Sequence, residues 1–206
     1  MKKPKYTKDW GAVHKEEKKK KVSKAFIWTL IISGVMIFST IGFIYVGNEE
    51  APSFTYKEKY KILRENNAFI FQEGNNQFAF KFFPSELESF VNGTDLSKLK
   101  KPMFYITFDP NSELVQSIDL LRLELSDDAP KLNIHVGQGV INASEEYNLT
   151  IIDCGDATAD IPVIKFVKSN ETKIVEEDNC FIFNAKNDYD VVKLRDVLLY
   201  SLLGIL

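Results

Sequence analysis

Residues 103–136, MFYITFDPNSELVQSIDLLRLELSDDAPKLNIHV, decide the fold. The opening six residues are apolar, aromatic or β-branched and read as a buried strand. Asp109 and Pro110 then read as the start of a helix, because a carboxylate satisfies free N–H groups there and proline fits a first turn. Leu114, Ile118, Leu121 and Leu125 recur at helical spacing and lay one face on a sheet. Leu132, Ile134 and Val136 alternate as the next strand, with His135 pointing away from the core. A strand, a helix and a strand in this order make a crossover unit with a parallel pair.

On the N-terminal side of this unit, residues 67–90 hold a β-hairpin. Phe69 and Phe71 alternate with smaller or polar residues, as do Phe78, Phe80 and Phe82, and EGNN between them supplies turn chemistry. The aromatic face is expected to pack on a core. A short helix is expected from PSELESFV, with Ser85 as N-cap and Glu88 three residues on. Downstream, strands are read at 148–152, 163–168, 172–176 and 180–183, with the turn SNET before the third. A helix from about 188 to 203 closes the chain. It is too apolar to be exposed and carries charges in its first half, so it reads as a core helix. The fold class is an α/β or α+β mixed-sheet sandwich.

A different solvent is implied at the other end. Residues 25–46, AFIWTLIISGVMIFSTIGFIYV, contain no charge and, at about 1.5 Å per residue, match a hydrocarbon core of about 30 Å. Their polar residues, Thr29, Ser33, Ser39 and Thr40, can bond to carbonyls one turn back, and Trp28 and Tyr45 sit near the ends. Residues 1–24 carry ten lysines against Asp9, Glu16 and Glu17, whereas GNEE follows the run. This asymmetry predicts an uncleaved, single-pass signal anchor in the plasma membrane, with a cytoplasmic N-terminus and an extracellular C-terminal domain. Lys18, Lys19, Lys20, Lys21 and Lys24 form a basic cluster that can also attract anionic lipid headgroups. The boundaries are a cytoplasmic tail at 1–24, a transmembrane helix at 25–46, a linker at 47–60 and the outer domain at 61–206. Cleavage after Ala25, as by archaeal prepilin peptidases, is the alternative and would make the chain a pilin-like subunit.

Residues 51–206 hold 16 basic and 24 acidic side chains, a net charge of −8. This balance argues against nucleic acid as a partner. Cys154 and Cys180 both lie in the outer domain, where disulfides persist. A bridge between them is the expected state. Asp153 and Asp156 beside Cys154 oppose a thiolate, and only His135 could serve it as base, which leaves a reactive thiol or a metal ligand as alternatives. No cofactor motif and no zinc spacing occur. Asp153, Asp156 and Asp160 could hold a cation but read better as turn solvation. Four N-x-S/T sequons, at Asn92, Asn142, Asn148 and Asn170, suit glycosylation of an exported surface.

The order strand–helix–strand, DIPVIKF, strand, helix resembles the thioredoxin-like fold over roughly residues 100–203. That resemblance implies a cis-proline at Pro162, but DPNS at 109–112 stands where the redox cysteines would be, so no catalytic residue carries over. Cys154, AT at 157–158, PVI at 162–164, Cys180 and LLYSLLGI at 198–205 resemble uncharacterised single-pass membrane proteins of archaea. This likeness supports the architecture and implies no mechanism. Without a catalytic constellation, the expected role is non-enzymatic binding or scaffolding of a protein partner outside. An exported, divergent thioredoxin-like enzyme is the alternative.

Overall fold

A computed structural model describes residues 23–46 and 51–206, which belong to two compact units divided between Glu50 and Ala51. The first unit contains α1, Lys24–Val46. The Ser23 hydroxyl accepts from the Phe26 N–H at 3.2 Å, and Thr29 donates to the Ala25 carbonyl at 2.9 Å. The side chains of α1 are described as far as Ser39, and nearly all of them are exposed. Among the described residues no helix is long and apolar enough to cross a membrane. The basic residues 18–21, and the side chains of Thr40 and Tyr45, lie outside the described residues.

The second unit has an α+β fold with two sheets. The first is an antiparallel meander of β1 (Ser53–Tyr56), β2 (Tyr60–Glu65), β3 (Ala68–Glu73) and β4 (Asn76–Phe80), in that order. It begins inside the stretch read as linker. Asn66 and Asn67, with φ of 48° and 62°, make the two-residue β2–β3 turn, the positive dihedrals that asparagine tolerates best after glycine. Gly74, φ +59°, opens the β3–β4 turn. Phe71 faces Phe78 and Phe69 faces Phe80 across that hairpin. Phe71, Phe78 and Phe80 are buried, so the expected aromatic face is core.

The second sheet contains β5 (Met103–Phe108), β6 (His135–Val140), β7 (Thr150–Ile151), β8 (Val163–Lys168), β9 (Lys173–Glu177) and β10 (Cys180–Ala185). Their spatial order is β7-β6-β5-β8-β10-β9. All neighbours run parallel except β9, which is antiparallel to β10. Helix α2 (Val115–Asp128) crosses from β5 to β6 as expected. Leu114, Ile118, Leu121 and Leu125 are all buried. The helix starts later than expected: the Asp109 carboxylate accepts from the Asn111 N–H at 3.0 Å and holds a turn, with Val115 the first helical residue. PSELESFV likewise differs. It forms two short 3-10 turns, and the carboxylate that closes the first is Glu86, accepting from the Phe83 N–H at 3.0 Å. Ser85 caps nothing, and Glu88 instead accepts from the Tyr56 hydroxyl at 2.6 Å. No described peptide bond is cis, so Pro162 lacks the cis geometry that the thioredoxin-like resemblance implies.

Helix α3 (Asp188–Leu203) explains its own composition. Every residue from Leu194 to Leu202 is buried, which requires neighbours on all sides. It packs against β10 and α2, and on another side Tyr200 stacks on Phe80 of the meander with centroids 3.7 Å apart. The helices therefore lie between the two sheets. The glycines of β6 leave room for close neighbours: a Cβ on Gly139 would meet the Ile152 Cβ at 2.8 Å, and one on Gly137 the Tyr105 ring at 2.4 Å.

Candidate functional site

Parallel strands bring their carboxyl ends to one edge of a sheet, and a crevice opens where neighbouring strands send their connections in opposite directions. Here β5 leads through α2 to β6 on one side, whereas β8 lies on its other side and leads towards β9 and β10. The carboxyl ends of β5 and β8 thus form the switch point. A cavity of about 620 Å³ opens there, lined by Asp109, Ser112 and Glu113 after β5, Ile141 after β6, Lys165 to Lys168 of β8, and Ile182.

The loop is held by its own polar groups. Besides the Asp109 turn, the Ser112 N–H donates to the Asp109 carbonyl at 3.0 Å, and the Ser112 hydroxyl accepts from the Leu114 N–H at 3.2 Å. Two ion pairs fix the lysines. Lys168 reaches Glu113 at 2.9 Å and holds its carboxyl below the usual carboxylate range. Lys165 reaches Asp153 at 2.7 Å and, through that hydrogen bond, does the same there. The rim therefore presents both signs of charge and is not a single-sign anion or cation trap.

The residues singled out from sequence fall mostly elsewhere. Cys154 and Cys180 form a disulfide with a Cα separation of 5.2 Å. Cys180 is the first residue of β10 and lies opposite Val163, the first of β8, so the bridge ties the Cys154–Asp156 turn to the amino end of β10. His135 is exposed and begins β6. It therefore sits at the opposite end of the sheet from Ser112, about 20 Å along the strands at ~3.3 Å per residue. Ser112 and His135 cannot act as a nucleophile–base pair, and the bridged cysteines offer no thiol. Asp153, Asp156 and Asp160 do not converge. The Asp156 carboxylate accepts from the Asp153 N–H at 2.8 Å, Asp153 serves Lys165 and the Cys154 N–H, and Asp160 is exposed. Among the described residues no group of His, Cys, Asp and Glu could hold a metal ion. The asparagines of all four sequons, Asn92, Asn142, Asn148 and Asn170, are exposed. Lys24 begins α1.

Sequence reading missed the ionic cluster between the meander and the helices. Arg195 lies 2.7 Å from Asp196, 3.0 Å from Glu124 and 3.3 Å from Asp128, and it donates to the Ala79 carbonyl at 2.6 Å. The other Asp196 oxygen accepts from the Lys81 and Phe82 N–H groups at 2.7 and 3.0 Å. Burial pushes the Asp196 carboxyl up, while Arg195 and the two N–H groups favour its charged form. The available signal was a charged dipeptide inside an otherwise apolar helix, VVKLRDVLL. A pocket of about 290 Å³ beside it is lined by Leu120, Glu124, Val192 and Arg195 among others. Its deeply buried lining charge, Arg195, is already engaged with Asp196, Asp128 and Glu124, so the cluster reads as structural.

Compared with models of protein families, with curated proteins and with solved structures, the chain matches none.

Proposed function

We propose that this chain is a single-pass membrane protein whose second unit faces the outside and binds a partner without catalysing a reaction. The observation that carries this reading is the Cys154–Cys180 bridge, which suits an oxidising compartment. It is supported by the uncharged run within α1, whose backbone is helical from Lys24 to Val46, and by the lysine excess that precedes it. The lysines, Lys18 to Lys21 and Lys24, hold the N-terminus at the cytoplasmic face and add attraction to anionic headgroups. The exposed sequon asparagines suit glycosylation of an exported surface.

The crevice at the β5 and β8 ends is the binding place the geometry favours. Its loop is hydrogen-bonded within itself, its rim offers carboxylates and ammonium groups together, and His135 lies about 20 Å along the strands from its Ser112 hydroxyl. It suits a small polar group carrying both charges or a polar segment of a protein. Purified full-length chain in detergent should show no hydrolase, transferase or thiol-oxidoreductase turnover. Robust turnover abolished by one point change, at Ser112 or at either cysteine, would overturn the reading.

A further inference from the structure

The four-stranded sheet has two edges, and the protein treats them differently. The outer edge of β4 is sealed: Arg195 donates to the Ala79 carbonyl, Asp196 accepts from the Lys81 and Phe82 N–H groups, and Lys131 donates to the Gln77 carbonyl at 3.2 Å. The outer edge of β1 is bare. The Arg64 N–H donates to the Pro52 carbonyl at 2.8 Å, and Phe54 stands opposite Ile62. Pro52, Phe54 and Tyr56 therefore turn their main-chain groups towards β2, and Ser53 and Thr55 turn theirs outward. Among the described residues nothing pairs with those outward groups. Ser53, Phe54 and Thr55 are all exposed, Phe54 by 42%, and between the flanking Pro52 and Lys57 the four-residue strand itself contains no charge, proline or bulge.

We propose that a second copy of this chain occupies this edge, β1 pairing antiparallel with β1 about a two-fold axis through Phe54. The parity of the strand selects that register. Joining two sheets requires the core-facing residues of one to continue those of the other, and the outward N–H and C=O groups to meet. With the axis at Phe54 both conditions hold. Ser53 and Thr55 of one copy exchange hydrogen bonds with Thr55 and Ser53 of the other, and the two Phe54 rings meet at the site of closest side-chain approach. Each ring already packs on Phe69 and Phe83, 6.5 and 6.1 Å away, and the second Phe54 covers its open side. An axis displaced by half a residue would set core-facing against solvent-facing side chains. An axis at Thr55 would set Ser53 against Lys57, whose φ of 49° has already left the strand. The edge itself is uncharged, so copies of an acidic domain meet there without like charges in register. The pairing is isologous and closes as a dimer, and it does not depend on whether α1 spans a membrane.

Cysteine cross-linking of the full chain in detergent tests it. Facing residues at a non-hydrogen-bonded pair have Cα atoms about 4.5 Å apart, inside the disulfide range of about 4.4–6.8 Å. Under mild oxidation F54C should give a covalent dimer. T55C should give at least about tenfold less, because its Cα would lie beyond the ~7 Å limit from its counterpart. The native cysteines are bonded to each other and do not compete. Adding Thr55→Pro to F54C should remove the dimer while leaving the melting curve of the single chain, since that N–H serves no bond to β2. Equal cross-linking of F54C and T55C, no dimer from F54C, or an F54C bond to a different polypeptide would overturn the proposal.

Discussion

Serine at Cys154 or at Cys180 opens a bridge with a sequence separation of 26. Either change, or both together, should lower the unfolding free energy by about 2–5 kcal/mol, measured by denaturant titration. The three variants should agree, since each breaks one bond; a wild-type curve for Cys180→Ser would contradict a structural role. Asp196 is fully buried, and its loss leaves two N–H groups of the β4 exit and part of Arg195 unmatched. Asp196→Ala should cost about 3–5 kcal/mol by the same assay. Asp153 gives a pH prediction. Its folded pKa lies below its unfolded one because of Lys165, so the pair's contribution is fully present above the ordinary carboxylate value of about 3.9. It is lost as pH falls through the lowered folded value. NMR titration should place Asp153 below that ordinary value and shift it upward in Lys165→Met; an unchanged titration in the variant would refute the pairing.

At the scale of elements, the tightest constraint on the open sheet face is Gly137. Its missing Cβ makes room for the Tyr105 ring, so Gly137→Ala should destabilise by about 1–3 kcal/mol through overpacking. Tyr105→Ala should relieve that added cost, and a double-mutant cycle reads the coupling. The same elements show what composition and spacing reveal. The strands β5 and β8 and the helix α3 fall within a residue of expectation, because continuous apolar runs with clear flanks leave one assignment. The meander strands β1 and β2 were invisible for a physical reason. Their connecting turn uses Lys57 and Glu58 at φ of 49° and 55°, without the glycine or asparagine that announces such a turn. The charged run Lys57–Lys59 directly after β1 makes 47–60 look like a linker, and β2 begins only at the last residue of that stretch. The crevice was illegible because switch points depend on strand order, and β9 lies beyond β10 despite preceding it in sequence. The helix start at Val115 was missed because Asp109 closes its own turn two residues on.

For the second unit as a whole, the crevice at the β5 and β8 ends is the place where a partner is proposed to bind. If partner binding occurs at the β5 and β8 ends, Lys168→Glu, which also breaks the Glu113 pair, should weaken partner recovery by about tenfold with little change in melting, because both side chains are exposed. Residues 51–206 are proposed to stand outside the membrane. A reporter active only in the external compartment, fused after Leu206 of the full chain, measures this directly. An external signal is expected, weakened or inverted when Lys18 to Lys21 are replaced by glutamate. An internal signal from the unaltered chain would contradict it, and with it the compartment on which the bridge and the sequons depend.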